Sequence, residues 1–190
     1  MLTRTRNVKS DETLITLVDA KRHLNLGDYT GDDAYIRTLI EAAHDFIETA
    51  INHTLITEEA ILTLDCLPEI IEIRARPVQA VVSISYRDGE GEVQVLDPQA
   101  YYVDVDQTPA IIAVKPGAPR VQARPGAVKI ALRLGFADDS EGVPGDLKQA
   151  ARSLIGHWYR NREAVSDTPM TDVSQSAAAI IARYRIPVFE

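Results

Sequence analysis

Two stretches of the sequence have the hydrophobic period of an amphipathic helix. In residues 32–52 an apolar side chain recurs every three or four positions, and charged side chains fall between them. Residues 144–163 repeat this pattern after Pro144, a residue type that suits the first turn of a helix. The spacing predicts two long helices that pack together through their apolar stripes. The expected bundle core includes Ile40, Phe46, Ile47, Leu147, Leu154 and Trp158.

Shorter helices are predicted near both ends of the chain. Thr16 can cap a helix whose third residue is Asp19, and Gly27 would end this element. Residues 174–184 contain a small apolar cluster. A helix of about 11 residues is marginal alone in water. This C-terminal helix therefore needs a surface to pack against, either the chain's own core or another subunit.

Between the long helices the pattern changes to that of short strands. Residues 78–86 are rich in β-branched side chains, and Val82, Ile84 and Tyr86 alternate with serines. The turn signal Asp-Gly-Glu-Gly at 88–91 precedes residues 93–96, which indicates a hairpin. Further strands are predicted at 101–105, 110–114 and 127–134, and the proline-rich residues 116–125 are predicted to form a loop.

These elements predict an α+β fold. It is a small helical bundle, with two long helices and short terminal helices, into which an antiparallel β sheet or sandwich is inserted. Residues 1–54 are expected to hold the N-terminal helices and residues 55–136 the β region. Residues 137–165 would form the second long helix, and residues 166–190 a linker and a partner-binding segment.

The balance of acidic and basic side chains bears on whether the chain can bind DNA. There are 20 basic and 28 acidic side chains, a net charge of −8. Phosphate neutralisation supplies most of the affinity of a tight duplex binder, so this balance opposes that function. It is compatible with a surface past which DNA slides, because like charges repel.

The cysteine content and the hydrophobic runs indicate a compartment. Cys66 is the only cysteine, so an intrachain disulfide or a cysteine zinc cluster is excluded. Residues 1–11 have no apolar segment of a signal peptide, and no run approaches the roughly 20 apolar residues that span a bilayer. A soluble protein made in a reducing cytoplasm is expected.

Motifs of catalysis and metal binding are missing from the sequence. It has no HExxH, P-loop, GxSxG or GxGxxG pattern. The four histidines are expected on the surface or in helix packing, and Cys66 as a buried structural thiol. Asp104 with Asp106 could form a carboxylate pair, and the acidic loop 136–142 could bind a cation, but solvated charges are favoured for both. We expect no catalytic residue, cofactor or metal.

Five motifs occur in a characteristic order along the chain. Residues 18–26, VDAKRHLNL, come before Asp32-Asp33 and the long amphipathic stretch; residues 76–86, RPVQAVVSISY, lead into the β region. Residues 143–150, VPGDLKQA, precede HWYRNRE at 157–163, and IIARYR follows at 180–185. This order resembles tailed-phage head–tail connector proteins, also called adaptor or head-completion proteins, of the kind with an inserted β region.

The resemblance implies a structural, non-enzymatic virion protein. Its members form homo-oligomeric rings, usually about twelve-fold, beneath the phage portal protein. The ring extends the DNA channel, lets packaged DNA pass without sequence-specific binding, and docks a downstream head-closure or tail protein. The subunit is made in the bacterial cytoplasm, ends at the head–tail junction of the virion, and has no membrane partner or cofactor. The C-terminal segment would contact the portal through Ile180, Ile181, Arg183, Tyr184 and Arg185.

Other interpretations remain open. A head-closure or tail-terminator ring protein would be mostly β, whereas here long helices flank the sheet. A small intracellular α+β enzyme or binding domain would need a pocket with convergent polar groups. A DNA-binding regulator is opposed by the acidic charge. Ile180 and Ile181 could instead fold back on the chain's own helices; if they bind the portal, deletion of residues 172–190 would leave the fold intact.

Overall fold

The computed structural model describes residues 12–161 and 175–185 in full and the backbone of residues 3–8. The chain divides into two compact units. One unit contains residues 57–135 together with the strand at 3–8, and it is built of β strands. The other contains the helices that come before and after this β region in sequence. The predicted α+β fold with an inserted β region is confirmed.

Four helices form the helical unit: α1 (Leu17–His23), α2 (Asp33–Ile51), α3 (Gly145–Arg160) and α4 (Gln175–Tyr184). The two long predicted helices are α2 and α3. The Thr16 hydroxyl caps α1 by accepting the backbone N–H of Asp19 at 3.1 Å, as its position in the sequence predicts. Helix α2 ends at Asn52, whose φ of 55° is a left-handed conformation that asparagine tolerates.

The core of this unit lies between the apolar stripes of α2 and α3. Ile40, Ile47, Leu147, Leu154 and Trp158 are buried in it. Phe46 is partly buried and meets Trp158 edge to face, with ring centroids 6.1 Å apart. Loop residues that the helical period does not indicate complete this core: Leu14, Ile15, Leu55, Ile56 and Val143.

Eight strands form two antiparallel sheets in the β unit. The five-stranded sheet has the order β1-β2-β8-β4-β5, and the three-stranded sheet has the order β3-β7-β6. Strand β8 alternates cleanly: Ile130 and Leu132 are buried, whereas Lys129 and Arg133 are exposed. Side chains of both sheets share one core, so the β unit is a sandwich. The strands are β1 (Thr3–Val8), β2 (Glu58–Leu64), β3 (Ile70–Ile73), β4 (Val78–Arg87), β5 (Val93–Val95), β6 (Tyr101–Asp104), β7 (Ala110–Val114) and β8 (Val128–Leu134).

Three local features differ from the predictions. Residues 3–8, within the range expected to hold only helices, form strand β1, which pairs with β2. The pairing of β4 with β8 shifts register between Val81 and Ser83, so Val82 is 61% exposed instead of sharing the core face of Ile84. Cys66 is exposed, so its assignment as a buried thiol is wrong: it follows the end of β2, outside the alternating buried positions.

Candidate interaction site on the helical unit

Helix α4 packs on α3 and α2 and completes the helical core. Its Ala177 and Ile181 are buried, and Ile180 and Tyr184 are partly buried against the same core. Ile181, expected at the portal, therefore lies inside this chain, as the fold-back interpretation requires. Arg183 and Arg185 are exposed. The outer side of α4 and the residue that follows it thus present two cations, while the inner side attaches the helix to the bundle.

Tyr184 and Arg183 attach the end of α4 to the start of α3. The Tyr184 hydroxyl donates to Asp146 Oδ1 at 2.7 Å, and Arg183 Nη1 lies 3.6 Å from Asp146 Oδ2. The Tyr184 ring also meets Phe136 edge to face. Partial burial, followed by the hydrogen bond to Asp146 and its charge, raises the pKa of Tyr184. The phenol therefore stays protonated at neutral pH and remains a donor.

A group of cationic side chains lies where α1 meets α3. Arg152, Gly156 and Arg160 are four residues apart and form one row on α3. His23 of α1 lies over the glycine, since a Cβ at Gly156 would be 3.2 Å from His23 Nε2. Arg160 Nη2 is 3.7 Å from the same point, so its guanidinium folds back toward His23. We call His23, Arg152 and Arg160 the basic ridge.

Within residues 12–161 and 175–185, the two arginines of the basic ridge have no carboxylate as an ion-pair partner. Partial burial lowers the pKa of His23, and the charges of Arg152 and Arg160 lower it further. Two arginines beside a histidine whose positive charge they disfavour are a suitable surface for an anionic partner.

Stability should fall in mild acid because of His23. Its pKa in the folded protein lies below the ordinary value of 6.5, so the unfolded chain binds more protons there. The contribution of neutral His23 is thus present above pH 6.5 and is lost as the pH falls through that value. Urea unfolding from pH 8 to 5 should show a slope that His23→Gln reduces by up to about one proton. Identical slopes in both proteins would contradict this expectation.

An acidic pair lies on the outward side of α2. Glu41 and Asp45 are exposed and one helical turn apart, away from the buried stripe. We call these two residues the acidic strip. Glu48, one turn further along, does not belong to it because its side chain is only 12% exposed and packs toward Leu55, whose N–H its Oε1 accepts at 2.8 Å.

His44 forms a buried network that the sequence did not reveal. Its Nδ1 accepts the N–H of Leu14 at 3.2 Å, which places the ring proton on Nε2, 3.4 Å from Glu48 Oε1. With Asp45, these two form the one group of described residues close enough to share a metal ion. Because His44 and Glu48 already bind backbone N–H groups, we interpret the group as a structural clamp on two loops. The i, i+4 spacing of His44 and Glu48 is the signal that could have indicated it.

The acidic residues considered as catalytic or metal sites shape turns instead. Asp104 Oδ1 accepts the N–H groups of Asp106 and Gln107, at 3.1 and 3.3 Å. Asp139 Oδ1 accepts those of Glu141 and Gly142, at 2.9 and 3.3 Å. Both are local side-chain to backbone turns. Within the described ranges no helix is long and apolar enough to cross a membrane.

Comparison with known proteins identifies the family. A family model described as head completion protein matches residues 13–186. The chain belongs to the head completion protein family. This confirms the resemblance drawn from the ordered motifs, although Arg162 and Glu163 of the HWYRNRE motif lie outside the described residues. No curated protein matches the sequence.

Three solved structures of gene transfer agent (GTA) particles contain chains of similar fold. They are the neck of an empty particle with C6 symmetry, the virion of the native particle, and the neck of the native particle with C12 symmetry. The TM-scores are 0.79, 0.77 and 0.75, each at 22% identity, and each match covers 98% of this chain and 97% of the other. At this identity the likeness establishes the fold of this head completion protein.

Proposed function

We propose that this head completion protein is a structural connector subunit that assembles as a ring at the head–tail junction of a phage-like particle. The family match over residues 13–186 carries the proposal. The ordered motifs of the sequence support it independently, because they lie in both long helices, in the β region and in α4.

The related particle structures support the ring. Chains of this fold occur in GTA necks with C6 and C12 symmetry, and they match almost the full length of this chain. A ring of about twelve copies is consistent with both symmetries, and each subunit would then use two different surfaces, since head-to-tail contacts are heterologous. The net charge of −8 would let packaged DNA pass through the channel without sticking.

Helix α4 and Arg185, which follows it, supply the proposed contact with the portal. Some of these residues would contact the portal directly, and others would hold the helix in position. Arg183 and Arg185 are exposed and would pair with carboxylates of the portal protein. Ile181 and Tyr184 would act indirectly, because burial and the bond to Asp146 fix the position of the helix. Ile180 lies between these two sets and is only partly buried. The opposite side of the ring would dock a downstream head-closure or tail protein.

Portal attachment should depend on the two arginines. Wild-type protein mixed with purified portal should form annular complexes, seen by native mass measurement and negative-stain images. Arg183→Glu with Arg185→Glu should weaken attachment by about tenfold or more, because attraction becomes repulsion. Arg185→Glu alone should weaken attachment in the same direction and leaves the Arg183–Asp146 pair in place, so it separates portal binding from the attachment of α4. The matched control, Arg74→Glu with Arg120→Glu, makes the same charge change at exposed positions of the β unit.

Two results would contradict different parts of this proposal. A wild-type protein that stays monomeric and ignores the portal would exclude the connector function. Normal attachment of the Arg183/Arg185 variant would exclude only the assignment of α4 as the portal contact.

A further inference from the structure

We propose that the basic ridge of one subunit binds the acidic strip of the next subunit, and that this contact closes the ring. The inference rests on the proposed ring function and adds the two surfaces through which neighbouring copies meet. Both surfaces belong to the helical unit, the ridge on α1 and α3 and the strip on α2.

The ridge needs an external anion. Arg152 is partly buried and Arg160 is exposed beside it, and no described carboxylate pairs with either. Nearby cationic pairs are satisfied within the chain: Lys21 Nζ lies 2.9 Å from Asp33, and Lys148 Nζ donates to two backbone carbonyls of the 140–141 loop. The ridge differs from these cations because two arginines and a histidine lie together there with no described carboxylate paired to the arginines. A carboxylate that approaches from outside would offset the positive charge of its two arginines.

Each of the two surfaces contains a pair of like charges on one helix. Arg152 and Arg160 are two turns apart along α3, but the Arg160 guanidinium folds back toward Gly156. The charge of Arg152 also acts on His23, which lies over Gly156, so both arginines contribute to the same part of the ridge. The two residues of the acidic strip are one turn apart and are exposed. Arginine also suits the contact because its planar group binds a carboxylate through two donors.

The distribution of charge favours a second copy of this chain over DNA. Copies with a net charge of −8 repel one another, so assembly requires local matches of opposite sign. The ridge and the strip provide such a match on different helices, which produces head-to-tail contact. Duplex binding requires many neutralised phosphates, and a ridge of two arginines and a largely neutral histidine offers few.

Charge reversal on each surface tests the proposal. Arg152→Glu with Arg160→Glu should abolish rings, and so should Glu41→Arg with Asp45→Arg, because each change places like charges across the contact. Mixing these two proteins should restore rings of alternating subunits, since one then has two acidic surfaces and the other two basic ones. The quadruple variant should form rings alone. Native mass measurement and images, with and without portal, report assembly, and circular dichroism checks folding.

Control variants that make the same change in net charge at other positions show whether an effect depends on the two surfaces or only on the total charge. Arg74→Glu with Arg120→Glu, and Glu90→Arg with Glu92→Arg, alter exposed residues of the β unit and should leave rings intact. The assignment would be overturned if both charge-reversed variants still formed rings. It would also be overturned if mixing the two variants did not restore ring formation. Intact rings of Arg152→Glu/Arg160→Glu that bind a labelled DNA duplex less tightly would show that the ridge faces DNA instead. Failure of the wild type to form rings would refute the proposed function itself.

Discussion

Trp158→Ala should lower the free energy of unfolding of the helical unit by about 3–5 kcal/mol. Trp158 is 6% exposed in the core between α2 and α3 and meets Phe46 edge to face. Its removal deletes a large apolar surface and leaves a cavity that helix packing cannot close completely. Urea unfolding followed by circular dichroism measures the change. The matched control, Tyr29→Ala, removes an aromatic side chain that is 55% exposed and should change stability by less than about 0.5 kcal/mol.

The variant Trp158→Phe shows how much of the loss of stability comes from the smaller volume and how much from the missing aromatic ring. Phenylalanine retains an aromatic ring beside Phe46, so this variant should lie between the wild type and Trp158→Ala. Equal stability of Trp158→Ala and the wild type would mean that the residue does not support the core. The HWY motif would then have another function, for example in contact with a partner.

The sequence predicted those parts of the fold in which period and capping agree. The repeat of apolar residues located α2 and α3, and Thr16 located the start of α1. In the β region the predicted strands overlap β4 to β8, whereas β2 and β3 lie in stretches for which no strand was predicted. These signals are local, because side chains three or four apart on a helix, or two apart on a strand, face the same side.

Features set by distant contacts were not predictable. Strand β1 exists because β2, more than 50 residues away in sequence, pairs with it. Val82 is exposed because of a register shift against β8, which the alternation within β4 does not encode. The basic ridge likewise requires His23 of α1 to lie over Gly156 of α3, a proximity that only the tertiary structure provides. Its residues were therefore absent from the sites proposed from the sequence.

The motif resemblance and the structure contribute different parts of the functional picture. The resemblance indicated a connector from ordered motifs, and the family match confirmed it. The same resemblance assigned α4 wholly to the portal, whereas the structure divides this helix between core and surface. The difference arises because an amphipathic helix of ten residues can bury its apolar side in its own chain or in a partner.

Deletion of residues 175–190 should destabilise the helical unit by several kcal/mol, contrary to the expectation from sequence that loss of the C-terminal segment leaves the fold intact. The deletion removes buried Ala177 and Ile181 and exposes the apolar surfaces of α2 and α3 that they cover. Loss of one buried isoleucine side chain alone costs about 2–5 kcal/mol. Urea unfolding, followed by the fluorescence of Trp158, measures the effect.

Consecutive isoleucines of α4 provide the matched comparison for this deletion. Ile181→Ala should cost about 2–4 kcal/mol, and Ile180→Ala clearly less, because Ile181 is 9% exposed whereas Ile180 is only partly buried. If both variants and the deletion unfold at the wild-type urea concentration, α4 does not belong to the core and the whole segment is free to reach the portal. If the order is as expected, truncation cannot report on portal binding, since it also unfolds the bundle. The exposed Arg185, which takes no part in the Arg183–Asp146 pair, then becomes the position at which attachment can be tested without disturbing the bundle.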